Sequence, residues 1–221
     1  MGRSTALTPD DLAQLPGACA GCLRWERFCD GSGLPGRPGL DDAVDDAVVA
    51  KRGWWVQRLS AGTGGGVVVR TAGHNGDRAV AGYATYAVPD RGGGDALSVL
   101  GLHVDVGCRG VGLGRALAQA VAREALRRPR VRAVEALAGL PELRVPGSPG
   151  CLVPVGFWLA CGFTVVRPHP LTPTVRLDAR MLAPWRTGVE DAFEQAWERL
   201  RGAVRPDPPP RPALSGQRVR R

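Results

Sequence analysis

The stretch that most constrains this chain runs from Leu100 to Arg128, LGLHVDVGCRGVGLGRALAQAVAREALRR. It begins as a short apolar strand, passes through a glycine-rich turn and continues as an amphipathic helix. Leu113, Leu117, Val121 and Ala125 recur at helical spacing, which predicts one buried face, and Arg127-Arg128-Pro129 ends the pattern. The turn reads Arg109-Gly110-Val111-Gly112-Leu113-Gly114, with Arg115 and Ala116 already in the first helical turn. Glycines let the backbone approach a ligand with no Cβ in the way. The free N–H groups of a helix start, at the positive end of the helix dipole, favour a phosphate or diphosphate. Strand, glycine turn and helix together predict binding of a phosphorylated ligand.

Two common phosphate loops are excluded by spacing. A dinucleotide turn needs Gly-x-Gly-x-x-Gly. Counting from Gly110 puts Arg115 at the last glycine, and counting from Gly112 puts Leu117 there. A triphosphate loop needs a terminal Gly-Lys-Ser/Thr, yet Lys51 is the only lysine in the sequence. What remains is Arg-x-x-Gly-x-Gly/Ala after a strand ending Leu102-His103-Val104.

Around this stretch the sequence alternates strand and helix signals. Thr8-Pro9-Asp10-Asp11-Leu12 reads as a helix start, halted by Pro16-Gly17. Asp41 caps a longer helix carrying Leu40, Val44, Ala47 and Val48, expected to end near Gly53-Trp54-Trp55. The aspartates at 41, 42, 45 and 46 read as a solvated face beside a helix N-terminus. Two β-rich runs, 66–70 and 79–88, flank Asn75-Gly76, a hairpin signal. A strand from 97 to 104 leads into the glycine turn, and Val131 to Leu137 is expected to run parallel to it after the helical crossover. A short helix over 153–161 stops at Gly162. Strands at 163–166 and 174–177 follow, then a helix opened by the capping box Thr187-Gly-Val-Glu190.

This order and the glycine turn resemble the GNAT N-acetyltransferase superfamily over about residues 40 to 180, where the motif cradles the pyrophosphate of acetyl-coenzyme A. Phe157-Trp158-Leu-Ala-Cys161-Gly162-Phe163 looks like that superfamily's later helix, an aromatic pair followed by Gly-Phe. The CxxCxxWE segment from Cys19 to Glu26 and the segment His169 to Leu177 look like a narrower GNAT subgroup, which names no substrate. The resemblance implies an α/β fold with a central twisted mixed sheet, an antiparallel hairpin, a parallel strand pair splayed at the cofactor site, and flanking helices. It divides the chain into an N-terminal helix and CxxC-containing extension (1–39), a GNAT-like domain (40–204) and a disordered basic Pro/Arg-rich tail (205–221).

The same resemblance implies acetyl-coenzyme A as acyl donor and a small-molecule or peptide amine as acceptor. Leu102, His103, Val104, Arg109, Gly110, Val111, Gly112, Leu113, Gly114, Arg115, Ala116 and Trp158 would contact the cofactor. Trp158 departs from the family pattern, because a tyrosine proton donor often stands there. That departure supports an alternative, an acyl-coenzyme A-binding module with little turnover. Glu135 interrupts an apolar strand, where a lone carboxylate is costly. It is either a base or the partner of an arginine such as Arg132 or Arg176. His103 has a suitable intrinsic pKa for proton transfer, against the plainer reading that it packs under the crossover helix. Ser98 and Tyr83 are candidates for the acceptor pocket, and His169 between two prolines reads as turn structure.

Charge and cysteines set the remaining bounds. Six arginines against Asp207 lie after residue 200, which leaves only +3 of the chain's +8 on the body. The tail is read as solvated rather than nucleic-acid-binding. No run of about eighteen apolar residues offers a membrane span, and MGRSTALTPDD has no apolar secretory core. The cytoplasm is therefore the expected compartment, its six cysteines read as thiols, and a homodimer is allowed. Zinc at Cys19 and Cys22 would need Cys29 and a distant fourth ligand such as Cys151, since no second CxxC exists. Buried thiols beside Trp25 are the preferred reading, and no metal ligand is assigned.

Overall fold

The computed structural model describes residues 4–15, 23–29, 44–72, 78–89, 95–140, 152–178, 180–181 and 189–203. Seven strands form one mixed sheet in the order β1-β2-β3-β4-β5-β7-β6. They are β1 (Ser4–Ala6), β2 (Gly64–Ala72), β3 (Arg78–Ala87), β4 (Ala96–Val104), β5 (Ala133–Leu137), β6 (Thr164–Arg167) and β7 (Thr174–Asp178). The α-helices are α1 (Arg24–Cys29), α2 (Val44–Ser60), α3 (Leu113–Leu126), α4 (Val155–Ala160) and α5 (Val189–Ala203). β4 and β5 are parallel and the other neighbours antiparallel. This is the mixed sheet with an antiparallel hairpin and a parallel pair that the sequence led us to expect.

The core lies between one sheet face and the helices α3 and α5. Leu113, Leu117, Val121 and Ala125, the stripe read from the sequence, are all buried. They meet Val69, Ala84, Leu97 and Val134 from the sheet and Ala196 from α5. Alternation along the strands turns Leu97 and Val134 toward this core and Ser98 and Glu135 toward the other face. That second face is covered by α2, whose Trp55 and Arg58 stand over Gly64, and by α1 beside β4. Among the described residues no helix is long and apolar enough to cross a membrane.

Three local expectations need correction. Residues after Thr8 form only a 3-10 turn, Asp11–Gln14, in which the Thr8 N–H donates to Asp11 Oδ2 at 2.8 Å. Before it lies β1, which the sequence reading missed; three residues are too short to show a period of two. The second helix does not end at Gly53. It runs to Ser60 because Gly62, not Gly53, takes the left-handed conformation (φ +68°) that terminates a helix. Cys19, Cys22, the Asn75-Gly76 turn, Thr187 of the capping box and the tail at 205–221 lie outside the described residues.

Candidate active site

Strand β4 creates the site by losing a partner partway along its length. It pairs with β5 only over Ala96 to Val99, yet it continues against β3 as far as Val104. Thr85 faces Gly101 and Tyr86 faces Val99, so Leu100 is an extra residue on β4. Such a bulge bends its strand, and β4 swings away from β5 at this point. Strand β5 meanwhile stays paired with β7 through Leu137. Beyond the fork, the β5-side edge of β4 has no strand to satisfy its backbone polar groups.

A cleft of about 380 Å³ opens at the fork. Leu100, Gly101 and Leu102 form one branch and Glu135, Ala136 and Leu137 the other. Trp158, Leu152 and Val153 close it on the α4 side, and Trp25 and Cys29 close it from α1. Trp158 is only 2% exposed and stacks its edges against Phe157 and Phe163, with ring centroids 5.3 and 4.8 Å away. Its indole N–H is buried without a hydrogen-bond partner among the described residues.

The glycine turn stands at the far end of β4. Asp105 caps a 3-10 turn, Val106–Cys108, by accepting the Gly107 N–H at 2.9 Å. The Arg109 Nε then donates to the Val104 carbonyl at 3.1 Å. Gly110 (φ +80°) and Gly112 (φ +96°) both take the left-handed conformation, and Gly112 caps α3. The first intrahelical bond runs from the Ala116 N–H to the Gly112 carbonyl, so the amides of Leu113, Gly114 and Arg115 have no intrahelical acceptor. Exposed glycines and free amides fit a diphosphate.

Gly114 serves a different need. A Cβ there would lie 3.1 Å from the Phe157 ring, so this glycine lets α3 and α4 approach. The Arg115 Nη2 donates to the Ala160 carbonyl at 3.0 Å, at the end of α4. Leu113 and Ala116 bury their side chains in the core. These residues therefore have only backbone to offer at the turn, whereas the Arg109 side chain remains at the exposed rim.

Glu135 is the centre of a charged cluster at the cleft floor. Its Oε1 accepts from Arg176 Nη1 at 2.9 Å and its Oε2 from Arg167 Nη2 at 3.2 Å. The arginine partner weighed in the sequence is thus present as Arg176, joined by Arg167; Arg132 contributes no bond to Glu135. Arg176 also donates through Nη2 to Asp95 (3.0 Å) and through Nε to Asp178 (2.9 Å). Burial opposes the Arg176 charge, but its three carboxylate partners outweigh burial and hold its pKa above the usual arginine value. Ser98 lines the cleft directly across from Glu135 in the β4–β5 register.

His103 lies elsewhere. Leu102 and Val104 pack toward the core under α3, so His103 points to the opposite face and does not sit under the crossover helix. It stacks on Tyr83, its cross-strand partner, with centroids 5.6 Å apart. Burial, reinforced by the nearby Arg109, pushes its pKa below 6.5, with Asp105 opposing. Neither His103 nor Tyr83 lines the cleft. His169 is held in its turn as expected: its Nδ1 accepts the N–H groups of Leu171 (3.2 Å) and Thr172 (3.0 Å). Burial raises the Cys161 thiol pKa against the pull of Arg115, which disfavours the thiolate. Among the described residues no group of three His, Cys, Asp or Glu is placed to hold a metal ion.

Sequence reasoning missed Arg167, Asp95 and the α1 wall. Arg167 meets Glu135 from an exposed edge strand, and no local spacing announces it. Trp25 carried a signal only as part of the CxxCxxWE segment.

A mixed sheet forked between parallel strands, with a glycine-capped helix start at one end of the fork, defines an α/β protein of the acyltransferase type. The chain belongs to the acetyltransferase (GNAT) family, whose sequence model matches residues 34–144. No curated protein sequence matches it. Among solved structures, the apo form of FdhC, a nucleotide-linked sugar GNAT, is 9% identical with a TM-score of 0.52; the alignment covers 86% of this chain and 93% of that one. A protein of Desulfovibrio desulfuricans described as a GNAT-family acetyltransferase is 18% identical, with 81% and 99% covered and a TM-score of 0.47. A dodecameric spermidine N-acetyltransferase from Vibrio cholerae is 10% identical, with 82% and 96% covered and a TM-score of 0.48. Identities this low concern the fold alone.

Proposed function

We propose that the protein is an N-acetyltransferase that moves an acetyl group from acetyl-coenzyme A to a primary amine by direct attack. The observation that carries this reading is the fork after Val99 with the glycine-capped start of α3 beyond it. Acetyl-coenzyme A supplies the thioester, whose carbon–sulfur bond breaks as the carbon–nitrogen bond forms. The amides from Gly110 to Arg115 would hold its diphosphate, with Arg109 adding positive charge at the rim. The unpaired edge of β4 between Leu100 and Leu102 offers backbone N–H groups to the thioester carbonyl, where negative charge develops.

Glu135, on the other branch, accepts a hydrogen bond from the incoming amine and takes its proton as attack proceeds. Holding both reactants at one fork supplies the effective concentration that such a transfer needs. Trp158 stands where the family resemblance places a tyrosine. An indole N–H is too weak an acid to serve as proton donor, so the sulfur leaves as thiolate and takes its proton from water. His103 contributes by packing beside the turn.

The test is an acetyl-coenzyme A assay on the purified protein with amines, amino acids, peptides and aminoglycosides, following thiol release and acetylated product. Equimolar thiol and acetylamine are expected. The second reading, a binding module with little turnover, is favoured by the two guanidinium groups already engaging Glu135. Cofactor binding without turnover across the panel would establish it. Failure to bind acetyl-coenzyme A would overturn both.

A further inference from the structure

We propose that the acceptor amine carries an anionic oxygen group, a carboxylate or a phosphate, and that Arg167 binds it. This rests on the acetyltransferase reading above and concerns the acceptor half of the same cleft. The charged side chains lining that cleft are Asp95, Glu135, Arg167 and Arg176, two of each sign. Arg176 is engaged on every nitrogen, each donating to a different carboxylate. Glu135 has a guanidinium on both oxygens, and Asp95 is held through Oδ1 by Arg176.

Arg167 is different. Its side chain is 67% exposed at the cleft rim, and its one bond among the described residues runs from Nη2 to Glu135. Guanidinium presents five N–H donors in a planar fork, so Nε and Nη1 keep an edge suited to a bidentate anion. An anion there meets the guanidinium's unused donor edge, and Glu135 on the far side keeps the guanidinium oriented. A polycationic acceptor would instead meet two guanidinium groups, with the carboxylates of Glu135 and Asp95 already paired to them. The walls between rim and fork are apolar, from Trp25, Val99, Leu137 and Leu152, so the acceptor's charge belongs at its end.

Paired acceptors differing only in the anion test this. Phenylalanine is compared with phenylalaninamide, and O-phosphoethanolamine with ethanolamine, with acetyl-coenzyme A and purified protein. The acid should be preferred by at least about tenfold in kcat/KM in one pair, as charge-assisted hydrogen bonds of this kind give. The pair in which preference appears identifies carboxylate or phosphate. Arg167→Gln should collapse that ratio toward unity and Arg167→Lys should restore part of it; a merely structural arginine would lower both members of a pair equally and leave the ratio unchanged. Equal turnover of acid and neutral analogue in both pairs, or an undiminished ratio in Arg167→Gln, overturns the proposal. Calorimetry with acetyl-coenzyme A separates the two levels. Binding without turnover of either anionic acceptor overturns the acceptor class alone, and absence of binding overturns the acetyltransferase reading with it.

Discussion

The Nζ of Lys51 lies 3.0 Å from Oε1 of Glu26, and this ion pair joins α2 to α1 beneath the cleft wall. Glu26 is only 3% exposed, and the same oxygen accepts the Trp55 indole N–H at 3.2 Å. Its other oxygen has no partner among the described residues, so Glu26 is a buried charge whose described neutralising contact is Lys51. Removing one partner of such a pair leaves an uncompensated buried charge, worth about 3–5 kcal/mol of destabilisation. Lys51→Met should therefore lower the urea midpoint markedly, and adding Glu26→Gln should recover most of the loss. Equal midpoints for Lys51→Met and the parent would show that α1 is not held by this pair. Trp25 and Cys29 ride on the same helix, so the single variant should also perturb the cleft.

Gly112→Glu tests the diphosphate site. The left-handed backbone at Gly112 costs an L-residue about 1–2 kcal/mol, and a Cβ there meets only the end of the Arg199 side chain, 3.6 Å away. Helix α3 should therefore survive. A carboxylate at the positive end of the helix, worth up to about 2 kcal/mol to an anion, competes with the ligand's own charge. Coenzyme A affinity should fall by at least about tenfold with a small loss in melting temperature. Unchanged affinity by calorimetry would remove the turn from the cofactor site.

Glu135→Gln separates chemistry from binding. Loss of a positioned base lowers turnover by about 10²–10⁴, while coenzyme A, held by the turn beyond the fork, should bind as before. An unaltered kcat would leave Glu135 as a clamp for Arg167 and Arg176 only. Single-turnover acetylation measures this directly.

Acid stability should depend on His103. Its pKa is lowered in the fold by burial and Arg109, so the unfolded chain takes up a proton first as pH falls through 6.5. Unfolded chains then bind more protons than folded ones, and stability drops with falling pH. The contribution is complete above pH 6.5 and lost once pH passes below the folded value. His103→Phe should flatten the dependence of the denaturation midpoint on pH below 6.5. An identical slope in the variant would mean that His103 titrates as it does in the unfolded chain.

The glycine turn and the helix it opens were legible because their determinants are local. A turn that needs left-handed residues selects glycine at 110 and 112, and a helix packed on a sheet repeats apolar residues every three or four positions. The same locality misled at Gly53 and left the packing role of Gly114 unread. A glycine announces freedom of backbone or of space but does not say which is used: Gly62 rather than Gly53 ends α2, and Gly114 admits the Phe157 ring.

By itself the sequence determined the order of elements from α2 to α5, the buried stripe of α3 and the glycine-capped form of its start, since each follows from short-range period and backbone chemistry. Only the tertiary structure decided what surrounds Glu135. Arg167 and Arg176 come from β6 and β7, with Asp95 beside β4 and Trp25 on α1, and sheet pairing alone brings them together. The width of the fork, likewise, was decided by one extra residue, Leu100, whose effect exists only once β4 has a neighbour on each side.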